Sequence, residues 1–189
     1  MTEPNLQLIT PGLQDEALAR LNARDVLGFL CTTSSHRTLA LVFDNILMLR
    51  ELGIYEKALL QAFTQTNTNN RKISGYALDF MFATADRKRL RDAGEPLPPS
   101  APYTIYRGVA GVGAARRVRG LSWTASVERA WWFALRYSQL ANPAVYQTVV
   151  EDEHVLAYTN DREEQEFLVK LEPTHPLVRV AKPANLPAS

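Results

Sequence analysis

A chain of 189 residues, 46% hydrophobic, with 21 basic against 20 acidic side chains, has room for one domain with a sizeable core or two small ones, and its composition excludes a disordered polyelectrolyte. Residues 1–102 carry 11 basic and 11 acidic side chains and residues 103–189 carry 10 and 9, so bulk attraction to nucleic acid or to an anionic membrane has no support. A single cysteine, Cys31, excludes an internal disulfide and any zinc site built from several thiolates; the longest apolar run, Leu39 to Leu49, is broken by Asp44 and Asn45 and is too short to span a bilayer.

The first 95 residues read as a helical region. Leu13, Ala17, Leu18 and Leu21, then Val26, Leu27 and Leu30, predict one or two short helices with a break near Asn22. Leu39, Val42, Phe43, Ile46 and Leu49 recur at three- and four-residue steps and predict a helix from about Thr38 to Leu52, with Gly53 at its C′ position. A short helix from Tyr55 to about Phe63 follows, then a polar loop from Thr64 to Asn70. Tyr76, Ala77, Phe80, Met81, Ala83 and Leu90 predict a helix over about Ile73 to Ala93, stopped by Gly94.

Residues 96–102 contain Pro96, Pro98, Pro99 and Pro102, which no helix can cross, and they form the expected connector to a second region, 103–189. There Tyr103 to Val109, Leu121 to Thr124, Val145 to Val150, Val155 to Tyr158, Phe167 to Leu171 and Leu177 to Val180 read as strands, and Ser126 to about Ser138 as a helix. The N-terminus shows no basic segment followed by an apolar run, which predicts a cytoplasmic protein.

Several motifs invite chemistry and fail. Gly108, Gly111 and Gly113 resemble a nucleotide loop, but Ala114 and Ala115 stand where a Walker loop needs lysine and a hydroxyl, and Arg116 stands where a dinucleotide fingerprint needs its third glycine. The runs Arg116, Arg117, Arg119 and Arg87, Lys88, Arg89, Arg91 read as solvated faces, although the first, following Arg107, leaves phosphate contact open. His36, His154 and His175 have no partners at metal-ligand spacing, and Cys31 reads as a buried structural thiol.

Three pieces remain, in order: Tyr106-Arg107-Gly108 in one strand, Ser122-Trp123-Thr124 in a second, and Glu164-Gln165-Glu166 leading into Phe167-Leu168-Val169. Alternation puts Ser122 and Thr124 on one face with Trp123 on the other, and on an extended chain Glu164 and Glu166 also share a face. A paired strand arginine and an exposed acidic edge are the alternative reading of the same residues.

This ordered pattern resembles the arginine-serine-glutamate class of mono-ADP-ribosyltransferases, which includes bacterial toxins and effectors and phage enzymes. The resemblance covers roughly residues 103–171; Trp123 and Thr124 depart from the family's Ser-Thr-Ser segment. It implies an α+β chain, a helical region followed by a mixed β-sandwich of the ADP-ribosyltransferase type, that cleaves NAD at the nicotinamide–ribose bond and passes ADP-ribose to a protein, with arginine as the acceptor and no metal. It further implies that Glu166 lies against the ribose and is held there by Ser122. Arg107 would bind the dinucleotide phosphates, the backbone at Gly108 would approach the nicotinamide amide, Thr124 would supply a second hydroxyl, and Glu164 would prepare the acceptor. Of the aromatic run Trp131-Trp132-Phe133, Phe133 or Trp132 is available to stack on nicotinamide, while core packing is the expected role of at least two of the three. The same residues also suit an NAD glycohydrolase that uses water, or an inactive binding module of the same fold.

Overall fold

The computed structural model describes residues 2–65, 73–99, 101–113, 116–136 and 139–183. The chain divides into two compact units, Met1–Ala93 and Gly94–Ser189.

The first unit is helical: α1 (Gln14–Asn22), α2 (Val26–Leu30), α3 (Thr38–Asp44), α4 (Ile46–Glu51), α5 (Tyr55–Gln65), α6 (Gly75–Thr84) and α7 (Arg87–Asp92). Its core is filled by fully buried Phe29, Leu30, Leu39, Leu41, Leu49, Leu59 and Met81. The helix expected over Thr38 to Leu52 is two helices, because Asn45 leaves helical geometry. Its buried side-chain amide donates to the carbonyls of Leu41 and Asn5 and accepts from the Asn5 backbone, so the N-terminal segment is tied where the helix breaks. Gly53 then ends α4 with φ +71 and the Ile54 N–H on the Leu49 carbonyl, the expected stop. The helix expected from Ile73 to Ala93 is also two, since Asp86 caps the Arg89 N–H and starts α7. Helix α5 runs through Gln65, so Thr64 is helical, and the remainder of the loop expected up to Asn70 lies outside the described residues.

The second unit holds β1 (Tyr103–Val109), β2 (Ser122–Thr124), α8 (Val127–Leu135), β3 (Ala144–Val150), β4 (Val155–Thr159), β5 (Glu166–Val169) and β6 (Val178–Val180). The strands form one six-stranded sheet in the order β4-β5-β2-β1-β3-β6, every pair antiparallel. The α+β class therefore holds, and the strands of the described residues form one antiparallel sheet. Tyr103, Ile105, Trp123, Tyr158, Phe167 and Val169 are buried on one of its faces, and Leu97, Leu171 and Leu177 from irregular segments pack against them.

The proline-rich segment thus belongs to the sheet unit. The Glu95 N–H bonds the Tyr158 carbonyl at 2.8 Å, the Glu95 carboxylate accepts the Asn160 N–H at 2.7 Å, and the Tyr103 hydroxyl donates to the Pro98 carbonyl at 3.0 Å. Burial, with the Glu95 charge adding to it, pushes the Tyr158 phenol above its usual range.

On the opposite face α8 lies over β1 and β3, burying Ala130, Trp131, Ala134 and Val145 with Tyr106 beside them. The approach is so close that a Cβ on Gly108 would stand 1.9 Å from the Ala130 carbonyl oxygen. Glycine at 108 is thus a packing requirement of α8. The helix starts at Ser126, whose hydroxyl accepts the Arg129 N–H at 3.0 Å.

Candidate active site

Strands β1, β2 and β5, which carry the three motif pieces, are neighbours in the sheet, and their register decides which side chains meet. Tyr106 pairs with Thr124, Thr124 with Glu166, and Glu166 with Thr159. Directly paired residues project to the same face with Cβ atoms about 5 Å apart. One row of polar side chains, Tyr106, Thr124, Glu166 and Thr159, thus crosses four strands on the face that bears α8. Ser122, two residues from Thr124, shares that face and lies half-buried.

Within the row the threonines are buried, at 4% exposure for Thr124 and 7% for Thr159, while Glu166 is half-buried. A carboxylate at the mouth of the sheet, flanked on both sides by threonines, keeps access to solvent while its position is fixed by the strand ladder.

The Thr124 hydroxyl is already committed. It donates to the Glu164 carbonyl at 2.7 Å and accepts the Ser126 N–H at 3.2 Å, joining β2, the acidic loop and the start of α8. Its role is therefore to fasten the loop, a correction to the expectation of a hydroxyl presented to NAD.

Glu164 differs from expectation as well. The chain is not extended before β5: Glu163 and Gln165 have φ of 57° and 46°, left-handed values that cost a non-glycine residue about 1–2 kcal/mol each. Glu164 lies between them in helical geometry, so simple alternation does not carry its side chain to the face of Glu166. The loop is over-determined by its bonds: the Asn160 side chain accepts the Gln165 N–H at 3.2 Å, the Asn160 carbonyl accepts the Glu163 N–H at 3.0 Å, and the Ala125 N–H bonds the Gln165 carbonyl at 3.3 Å. Strain held in place this way gathers at functional sites.

Arg107 leaves β1 on the face opposite Tyr106. Its guanidinium lies against Gly120, where a Cβ would come within 2.3 Å of it, and donates from Nε to the Arg117 carbonyl at 3.0 Å and from a terminal nitrogen to the Ser122 carbonyl. The Trp123 indole N–H bonds the Gly120 carbonyl at 2.8 Å on that same side. The structure therefore sets Thr124 directly opposite Glu166, with Ser122 one diagonal step away on the same face, opposite Leu168, while the Arg107 side chain lies on the other face and meets this group only at the Ser122 backbone carbonyl. The side chains of Arg116 and Arg119 close loops: Arg116 donates to the Asn142 carbonyl, and Arg119 to the carbonyls of Glu172 and His175.

Phe133 is half-buried on α8, edge-on to Trp132 with centroids 5.1 Å apart, and Arg136 stacks over it at 5.2 Å. Cys31, expected to be buried, is exposed at the end of α2, because the apolar face there is filled by Val26, Phe29 and Leu30.

Tyr106 and Thr159 escaped the sequence reading as members of the row. Thr159 was legible in principle, since β4 and β5 form a hairpin whose loop fixes Thr159 opposite Glu166.

Among the described residues no group of three or more His, Cys, Asp or Glu is arranged to hold a metal ion, and no helix is long and apolar enough to cross a membrane. Compared with protein-family models, with curated proteins and with solved structures, the chain matches none.

Proposed function

We propose that the second unit is a mono-ADP-ribosyltransferase of the arginine-serine-glutamate class that consumes NAD and modifies arginine on a protein. The observation that carries the reading is the register Thr124↔Glu166 between adjacent strands, with Ser122 on the same face and β1 next in the sheet. The strands that carry the three motif pieces, β1, β2 and β5, are neighbours in the sheet, although Arg107 leaves β1 on the other face. The sheet with α8 on one face is the scaffold of that reading.

Leaving of nicotinamide places positive charge on the ribose. A carboxylate fixed beside the sugar stabilises that charge without reorganising, the requirement that glycosidases also meet. Glu166 has the necessary fixity and access. Ser122, one diagonal step away on the same face, would reach the carboxylate or the ribose. Arg107, on the other face of the sheet, is the candidate phosphate ligand, and a bound pyrophosphate would have to pass the start of β2 to take guanidinium donors now turned to the Arg117 and Ser122 carbonyls. That exchange would couple NAD binding to the position of Ser122. Phe133 is the stacking partner of nicotinamide and Glu164, on the strained loop, the residue that meets the acceptor, whereas Gly108, expected to approach the nicotinamide amide, is covered by the backbone of α8 and serves packing. A guanidinium is a poor nucleophile until it is oriented and relieved of its proton, which a second carboxylate accomplishes.

Incubation with NAD labelled in its ADP-ribose portion, together with a cell lysate, tests the reading. A labelled protein band that disappears with Glu166→Gln supports it. Release of free ADP-ribose alone would make the protein a glycohydrolase, and no turnover would leave a binding module.

A further inference from the structure

His154 and His175 stand 21 residues apart in sequence (175 minus 154) and have no ligand spacing, yet the fold brings their rings together. His154 ends the short turn between β3 and β4, and His175 lies in the segment before β6. The ring centroids are 6.1 Å apart, with the planes tilted by 56°. An imidazole nitrogen bonds a zinc-type ion at about 2.0–2.1 Å, so two rings that share one ion have centroids about 5.2 Å apart at the tetrahedral angle and about 6.4 Å apart in line. The observed separation falls inside that span.

A second observation concerns how His175 is held. Its Nε2 lies 3.1 Å from the Val149 carbonyl oxygen, which can only accept, so Nε2 carries the proton and the neutral ring keeps its lone pair on Nδ1. A histidine that donates from one nitrogen to a backbone carbonyl and leaves the other bare has the form in which histidines ligate metals. Its backbone is fixed as well. Arg119 donates to the carbonyls of Glu172 and His175 at 2.9 and 2.8 Å, the His175 N–H bonds the Glu172 carbonyl at 3.0 Å, and the Thr148 hydroxyl donates to the Pro176 carbonyl at 2.7 Å. The two turns also carry Glu151, Asp152, Glu153 and Glu172 against the single guanidinium of Arg119, a local balance that suits a cation.

We infer that His154 and His175 together bind one divalent transition-metal ion of the zinc type, with water completing its coordination. The ion would clamp the turn at His175 to the corner between β3 and β4, beside Leu171 and Leu177, which pack on the core of the second unit. Two imidazoles select Zn²⁺, Ni²⁺ or Cu²⁺ over the oxygen-preferring Mg²⁺. This site lies beyond the transferase reading and does not depend on it.

Full-length protein without an affinity tag is titrated with zinc chloride by calorimetry, beside magnesium chloride, and its thermal midpoint is followed with and without Zn²⁺. One Zn²⁺ per chain should bind, Mg²⁺ should not, and saturating Zn²⁺ should raise the midpoint. His154→Ala and His175→Ala should each abolish the rise and weaken binding by at least the roughly tenfold that losing even an outer partner of a metal ligand costs. His36→Ala and Cys31→Ser, which remove the other histidine and the only thiol, should change neither. His154 is exposed, so its variant should keep the wild-type midpoint without metal, which separates loss of the site from loss of the fold. No binding of Zn²⁺, equal binding of Mg²⁺, binding that survives both substitutions at 154 and 175, or binding lost with His36→Ala or Cys31→Ser overturns the site.

Discussion

Thr124 and Glu166 stand directly opposite each other across β2 and β5, and the Thr124 hydroxyl bonds the carbonyl of Glu164 at 2.7 Å. One residue thus sets both the strand position of one carboxylate and the loop position of the other. The proposed chemistry divides between those carboxylates, so it can be taken apart by substitution.

Replacing Glu166 by Gln keeps size and the strand ladder but removes the charge next to the ribose. NAD binding, followed by calorimetry, should persist, while turnover falls about a hundred- to a thousandfold. Turnover near the wild-type rate in a folded Glu166→Gln protein would assign the chemistry to another acid.

Glu164→Gln should separate two activities. Water needs less orientation than a guanidinium, so transfer to free agmatine should drop much more than NAD hydrolysis measured in the same preparation. Equal loss of both would give Glu164 a part in NAD binding and remove the support for arginine as the acceptor.

Stability and transfer should move in opposite directions at Gln165. Glycine adopts φ of 46° without the penalty that Gln165 carries, so Gln165→Gly should stabilise the fold by up to about 1 kcal/mol in denaturant titration. The loosened loop should lower transfer to agmatine. A substitution that destabilises would mean that the Gln165 side chain contributes more to the loop than its backbone strain costs.

Gly108→Ala should destabilise the second unit. The new methyl group meets the backbone of α8 at Ala130, which cannot move without lifting the helix, and overpacking of this kind costs about 1–3 kcal/mol. A midpoint equal to wild type would show that α8 shifts at no cost.

A pH effect belongs to the first unit. The Gly28 N–H, and after it Arg20, hold the Asp25 carboxyl below its usual value of 3.8. A depressed folded value means that the ionised group stabilises the fold above the unfolded pKa, with the contribution fading as pH falls through the folded value. Asp25→Asn should therefore lower the thermal midpoint at neutral pH, and the difference should shrink as pH falls below the usual carboxylate value and through the depressed folded one. An equal difference across that range would mean that the cap acts through geometry alone.

Much of this architecture is legible in the sequence, because amphipathic spacing and strand composition act locally. The strands from Tyr103 to Val180 fall close to where alternation places them. Breaks inside helices are not legible in the same way: Asn45 continues a helical pattern, and only its bonds to Asn5, forty residues earlier, explain the interruption. At the candidate site the order of Arg107, Ser122 and Glu166 is visible in the chain, but register is a long-range quantity. The pairing of Glu166 with Thr124 and Thr159 depends on how three strands slide against one another, and the left-handed turns at Glu163 and Gln165 depend on bonds from Asn160 and Ala125. Neither residue type announces such a conformation.

The bond from Glu95 to the Tyr158 carbonyl runs along the outer side of β4, which is one border of the sheet. A border strand with bare amides and carbonyls recruits other chains into fibrils and aggregates. The segment from Gly94 to Pro98 therefore acts as a guard against self-association as well as a path between the two units. A fragment beginning at Tyr103, where the first strand begins, would strip that guard and uncover the apolar surface under Leu97. A fragment beginning at Gly94 would keep both, so the nine residues before the sheet decide whether this unit stays in solution or precipitates.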